Sequence, residues 1–276
     1  MRCCCVPSWL DGLGYLRRMG CGAPNTPGQQ ATISEGPASG SADGAGVANK
    51  KVIASWPCEV RFLFIRHAQA QPGRERVGPE KKDPRLSDTG EEQARKLAGR
   101  LQRDWGEGLE IVCSPMARCI RTALPLTQGR NIIAGRRRVC HALLCEHGND
   151  PKDFFSRNIA DTYPELFGST GFEPAREVSF VGFDSTEVET RQRATSIAKW
   201  LCAECSRRPQ WQEVPVAVFC HQTFLDCLMQ IIVDGDASQW AYGSTRFSFQ
   251  NTGITEVVVS PQGVNMCKNN DWLHLR

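Results

Sequence analysis

Apolar runs that stop abruptly at polar, chemistry-bearing residues constrain this chain more than any other feature. Val60-Arg61-Phe62-Leu63-Phe64-Ile65 leads into Arg66-His67, and Leu109-Glu110-Ile111-Val112 into Cys113-Ser114-Pro115. Pro215-Val216-Ala217-Val218-Phe219-Cys220 leads directly into His221. Runs this short and this apolar read as strands buried on both faces, the condition of a parallel sheet covered by helices. Chemistry in such sheets gathers beyond the carboxyl ends of the strands, so Arg66, His67, Ser114 and His221 should meet at one edge. Arg118 lies just inside the segment after the second run, and residues 142–145 carry a carboxylate, Glu146, to the end of a fourth apolar stretch.

Helical patterns fall between these runs. Ser87-Asp88-Thr89 can cap a helix, with Glu91 and Glu92 suited to the positive end of its dipole. Ala94, Leu97, Ala98, Leu101 and Trp105 then keep one apolar face. A second helix is expected from about 114 to 126, with Pro125 ending it early, a third over 187–205, and a fourth over 223–233. Two further strands are expected near 246–250 and 254–259. This alternation predicts an α/β fold, a three-layer α/β/α sandwich with a mostly parallel central sheet. Residues 147–186 break the pattern in a long Phe-, Gly- and Pro-containing excursion of the kind that shapes substrate pockets. Residues 21–49 are rich in Gly, Ala, Ser and Pro and cannot bury enough surface to offset their ordering entropy. The expected division is a disordered leader over 1–56 and a catalytic domain over 57–276.

Composition removes several function classes. A net charge of +3 is too small to argue for nucleic acid or a membrane surface. No apolar stretch reaches the roughly 20 residues of a transmembrane helix. Of the 14 cysteines, Cys113, Cys140, Cys145 and Cys220 sit in or beside apolar runs, where a thiol acts as a small hydrophobe. Cys202-x-x-Cys205 has ligand-like spacing but neither a second pair nor a nearby His, so no metal site is expected. Reduced thiols point to an intracellular, cytoplasmic protein. Cys3-Cys4-Cys5 leaves acylation open, and Arg2, Arg17 and Arg18 leave organelle targeting open.

In order and spacing these segments resemble the histidine phosphatase superfamily, the phosphoglycerate-mutase-like branch, from about Val60 onward. Arg66-His67-Ala68 is similar to the family's Arg-His-Gly, and Leu86-Ser87-Asp88-Thr89-Gly90 with Gln93-Ala94 to its Leu-Thr-x-x-Gly-x-x-Gln-Ala. Ser114-Pro115-Met116-Ala117-Arg118 matches Ser-Pro-Leu-x-Arg, and Arg121-Thr122-Ala123 its continuation. His221-Gln222-Thr223, Asn251-Thr252-Gly253-Ile254-Thr255 and Asn270-Asp271-Trp272-Leu273-His274-Leu275 resemble the later family segments.

The resemblance implies a phosphomonoester phosphatase working through a phosphohistidine on His67. Arg66, Arg118, His221 and the backbone of Gln222 would hold the phosphate, His221 also serving catalysis, and Glu146 would be the general acid/base. Asp150, Asp153 and Glu165 stand nearby as alternatives to Glu146. It implies no metal and no cofactor, since arginines and histidines supply the positive charge. The partner would be a phosphorylated small molecule or phosphoprotein; oligomeric state is left open. A cofactor-dependent phosphoglycerate mutase-like phosphotransferase is the second reading, disfavoured because the chain lacks the mutases' Leu-Asn-Glu-Arg-His-Tyr-Gly segment. A catalytically inactive phosphate-binding module is the third. Gly73 stands where many relatives have Asn, Ala68 and Gln222 where they have Gly.

Overall fold

The computed structural model describes residues 51–72, 83–106, 108–127, 138–149, 172–174 and 186–276. Strands β1 (Val60–Arg66), β2 (Glu110–Cys113), β3 (Arg138–Cys140), β4 (Phe172–Pro174), β5 (Val216–Cys220), β6 (Ile254–Ser260) and β7 (Gly263–Asp271) form one sheet. Their order is β4-β3-β2-β5-β1-β6-β7. The first five are mutually parallel, while β6 pairs antiparallel with β1 and β7 antiparallel with β6. Helices α1 (Asp88–Trp105) and α2 (Ala117–Ala123) cover one face, and α3 (Glu187–Arg207) and α4 (Gln222–Met229) the other. This is a three-layer α/β/α sandwich with a mostly parallel sheet.

Strand alternation explains why the apolar runs carry so little polar relief. Phe62, Phe64, Val216 and Val218 point into a core with Ile197, Leu201, Phe224 and Leu228 of α3 and α4. Leu63, Ile65, Ala217 and Phe219 pack on the opposite side with Leu97, Leu101 and Ile120 of α1 and α2. Each such large side chain, taken out of water, contributes about 1.5–3 kcal/mol. Register then levels the strand ends: Arg66 pairs with Cys220 and Cys113 with Phe219. One step further, His67 N donates to Cys220 O at 3.0 Å and Ser114 N to Phe219 O at 2.9 Å.

Helix α1 is drawn against the loop after β1. Ser87 Oγ accepts from Gly90 N at 3.1 Å as an N-cap. A Cβ at Gly90 would fall 2.0 Å from Gln69 O, so only glycine permits this approach. Gln93 Oε1 accepts from Gln69 N at 2.8 Å, tying the helix to the same loop.

Elsewhere the structure departs from the sequence expectation. Residues 246–250 are not a strand: Arg246 N and Phe247 N donate to Asp226 Oδ1 at 3.1 and 2.7 Å, and Phe249 N to Gln222 Oε1 at 2.6 Å. Side chains of α4 thus take the donors a ladder would need. The last strand is instead β7, whose asparagines, lysine and glycine carry little strand propensity. The helix expected from 114 starts at Ala117, continues as a 3-10 turn at Leu124–Leu126 around Pro125, and α4 passes into a π-turn at Gln230–Asp234. Residues 1–50 of the expected leader lie outside the described residues. Of its last six, Val52 N donates to Gly235 O at 2.8 Å and Trp56 is buried against Phe62. Most of the 147–186 excursion, with Asp150, Asp153 and Glu165, also lies outside them, as does Gly73. Among the described residues no helix is long and apolar enough to cross a membrane.

Candidate active site

His67 follows the last residue of β1 and is 7% exposed. Its Nδ1 lies 2.7 Å from Ala68 O, a carbonyl that can only accept, so Nδ1 carries the proton. Arg118 Nε donates to His67 Nε2 at 3.3 Å, which requires a lone pair there. Both contacts therefore select the tautomer with a nucleophilic Nε2. The surrounding backbone is clamped. Asn251 Nδ2 donates to His67 O at 2.8 Å, Thr252 N to Arg66 O at 3.0 Å, and Ala68 N to Thr122 Oγ1 at 2.9 Å. Thr252 holds φ at 59°, a left-handed conformation that costs a β-branched residue energy and persists here beside the site.

Two arginines flank the ring. Arg118 sits in the first turn of α2 with its Nη1 3.4 Å from Asp83 Oδ1. Asp83 Oδ2 also accepts from Ala117 N at 2.8 Å, capping a helix whose own N-cap residue, Met116, has no side chain able to do so. Burial pushes the Asp83 carboxyl above its usual range, opposed by the Ala117 N–H and by Arg118. Arg66 donates through Nη1 to Phe249 O at 2.9 Å, while its buried Nε has no hydrogen-bond partner among the described residues. Burial lowers its pKa first of all, Glu146 opposes that shift and Arg118 adds to it.

His221 ends the β5 run, is fully buried and caps α4. Its Nε2 shares a hydrogen bond with Ser114 Oγ at 2.8 Å, and its ring centroid is 5.2 Å from that of His67. Burial drives its pKa well below 6.5, reinforced by Arg118, His67, Arg193 and Arg66. Cys119 Sγ lies 3.4 Å from the same Nε2, but burial pushes that thiol well above its ordinary pKa, which leaves it protonated and unreactive.

Glu146 follows the 3-10 turn Ala142–Leu144. Its Oε1 accepts from Phe224 N at 3.0 Å and His147 N at 2.9 Å, and its Oε2 from Thr223 N at 3.4 Å. The carboxylate thus rests on the positive end of α4, the helix that His221 caps. The Gln222 side chain turns elsewhere, its Nε2 donating to Phe247 O at 3.0 Å and its Oε1 accepting from Phe249 N. Only its backbone, in the first turn of α4, remains for a ligand.

Arg66, His67, Arg118, Glu146 and His221, scattered over the sequence, thus converge at one sheet edge. Sequence reasoning missed Asp83, whose only signal was an acid ahead of Pro84 and the Leu86-Ser87 helix start. It also left Asn251 as part of a motif without a task, and that residue fixes the His67 carbonyl. Among the described residues no cluster of three or more His, Cys, Asp or Glu is arranged to hold a metal. An imidazole lone pair among two guanidiniums and a neutral histidine can attack phosphorus and bind the three peripheral oxygens.

The family model described as histidine phosphatase superfamily (branch 1) matches residues 62–271. Solved structures of similar fold include a phosphoserine phosphatase from Entamoeba histolytica in complex with 3-phosphoglyceric acid. It is 16% identical with a TM-score of 0.50, over 78% of this chain and 99% of that one. Mycobacterial hydrolase 1 is 17% identical with a TM-score of 0.51, over 77% of this chain and 99% of that one. No curated protein matches the chain.

Proposed function

The chain belongs to the histidine phosphatase superfamily, branch 1, and from that premise we propose that it hydrolyses a phosphomonoester through a phosphohistidine on His67. The observation that carries the reading is the tautomer: Ala68 O holds the proton on Nδ1 and leaves Nε2, facing Arg118, as the nucleophile. Nε2 forms a bond to phosphorus as the bond to the leaving oxygen breaks. Arg66, Arg118, His221 and the Gln222 N–H take the phosphoryl oxygens, guanidinium forks matching that geometry. Protonated Glu146 gives its proton to the leaving oxygen. Water then attacks the phosphohistidine, Glu146 takes the proton, and the N–P electron pair returns to Nε2. The two arginines supply the positive charge that the transition state needs, His221 serves as a neutral hydrogen-bonding group, and the mechanism calls on no cofactor. The substrate is a phosphorylated small molecule or phosphoprotein, and residues 57–276 form the catalytic unit behind a leader.

The test is rapid-quench turnover of an aryl phosphate by wild-type protein and by His67→Ala. An alkali-stable, acid-labile phosphoenzyme should accumulate in the first and be absent in the second. Full turnover by His67→Ala sinks the mechanism. Phosphoryl exchange between positions without phosphate release would make the protein a mutase, and ligand binding without turnover a binding module.

A further inference from the structure

Glu146 has no strand ladder to hold it, and its support lies in α3. Arg193, fully buried, reaches out of that helix and gathers the backbone leading to the acid. Its Nη1 donates to Leu143 O at 3.0 Å and Cys145 O at 2.6 Å, and its Nη2 approaches Glu146 O at 3.5 Å. One guanidinium therefore meets the carbonyls of a turn that supplies few backbone partners of its own. The cation is balanced within α3 by Glu189, itself buried, at 2.5 Å from Nε. The other face of the guanidinium lies 5.0 Å over the Phe224 ring, and the Phe224 N–H is the donor to Glu146 Oε1. Arg193 therefore grips both sides of the contact that fixes the carboxylate: the turn that carries it and the helix end that receives it.

We propose that Arg193, neutralised by Glu189, is the positioning residue for Glu146, fixing the carboxylate where a leaving oxygen departs. Arg193 makes no contact with the reacting groups in this scheme, and reaches Glu146 through the turn and the Phe224 ring. A buried arginine costs desolvation, and a stack of apolar side chains could fill the same space between α3 and the turn. An apolar filling would offer no donor to the carbonyls of Leu143, Cys145 and Glu146, as the guanidinium does. This reading rests on the proposed role of Glu146.

Removing Arg193 alone would take from buried Glu189 the guanidinium that balances it, a change that could unfold the protein. The variant to make is therefore Arg193→Met with Glu189→Gln. Two measurements decide the matter. The first is kcat/KM, set by phosphoryl transfer to His67 and not by the later hydrolysis that both substrates share, on 4-nitrophenyl phosphate, whose leaving group departs without a proton, against an alkyl phosphate, whose leaving group needs one. The double variant should lose roughly 10²-fold on the alkyl ester, as loss of general acid catalysis does, and at most about threefold on the aryl ester. An equal loss on both substrates would mean a merely structural role and overturn the proposal. The second is hydrogen exchange at the His147 and Phe224 amides, which donate to Glu146. Their protection should fall in the double variant, and return in part when position 193 is Arg193→Lys with Glu189 kept. Unchanged protection overturns the proposal. If the wild type turns over neither substrate, the proposed function fails, and the amide exchange alone decides the role of Arg193.

Discussion

The two walls of the cleft are built on different principles. Arg66, His67 and His221 stand at the ends of parallel strands, where ladder hydrogen bonds and register fix them as part of the global fold. Glu146 stands past a 3-10 turn, held by amides of α4 and by one guanidinium from α3. A position set by sheet register moves only if the sheet unfolds. A position set by side-chain-to-carbonyl bonds can loosen while the protein stays folded. The phosphate wall should therefore respond to mutation in an all-or-none way, and the acid wall in a graded, substrate-dependent way.

The largest effect belongs to the first wall. His67→Ala should lower kcat by at least about 10⁴-fold on every substrate, since it removes the proposed nucleophile and not an assistant to it. Thermal stability should change little by comparison, because the backbone clamps from Asn251 and Thr252 engage the residue's main chain and not its ring. A loss that varies with leaving group would blur the distinction between the walls. Next comes the second wall. Glu146→Gln keeps an acceptor for the Phe224 and His147 amides and loses the transferable proton. It should cost about 10²–10³-fold in kcat/KM on alkyl phosphates and far less on 4-nitrophenyl phosphate, because kcat/KM leaves out the hydrolysis step common to both. Uniform loss would show that Glu146 serves phosphate binding or the fold.

Each wall also contains a buried neutral histidine, which makes pH a probe of both. His221 belongs to the phosphate wall. His141, 1% exposed, accepts from Leu143 N and so begins the turn that leads to Glu146, and burial lowers its pKa to about 3. In the unfolded chain both rings titrate near 6.5. The folded pKa values are depressed, so as pH falls below about 6.5 the unfolded state binds protons that the native state refuses. Stability present at neutral pH is then lost, by about 1.4 kcal/mol per pH unit for each ring and about 2.7 for the two. Asp83, with its pKa raised by burial, works against this slope. Urea unfolding between pH 7.5 and 5 should show the loss, to which His274, its pKa lowered by burial to about 4, and His147, lowered by burial as well, also add; His141→Gln should remove its own share, about 1.4 kcal/mol per pH unit. A flat profile would mean that one or both rings admit a proton in the native state.

What was legible in the sequence follows the same division. The phosphate wall could be read because continuous apolar runs announce two-sided burial, and two-sided burial announces parallel strands with aligned ends. Ser87 could be read as a helix start because capping demands that residue type, whereas Gly90 and Gln93 came only with the resemblance. The acid was readable only by its place in a resemblance. Neither the turn that holds it nor Arg193, 47 positions further along, has a local signature: an arginine inside an amphipathic helix reads as surface until its partners are seen. The misread strand at 246–250 failed for a related reason. Phe247 and Phe249 have strand propensity, yet Asp226 and Gln222 outcompete a neighbouring strand for their amides. Long-range side-chain-to-backbone bonds leave no periodicity behind.

Asp83 offers the finest test of the contrast, because it ties the phosphate wall together with a side chain and not a ladder. Its carboxylate orients Arg118 and caps α2, but as an anion it also repels the incoming phosphate. Asp83→Asn keeps an oxygen for the Ala117 amide and removes the charge. Binding should tighten, because Arg118 is no longer partly neutralised, while kcat should fall, because its guanidinium is no longer held on the Nε2 side of His67. A roughly tenfold drop in kcat, about 1.4 kcal/mol of transition-state stabilisation, with KM lowered or unchanged is the expected split. Asp83→Ala should behave differently, leaving the Ala117 N–H buried without its partner and costing about 1–3 kcal/mol of stability. If Asp83→Asn instead raised KM at unchanged kcat, Asp83 would be assisting phosphate capture, and orientation of Arg118 would have to come from the helix alone.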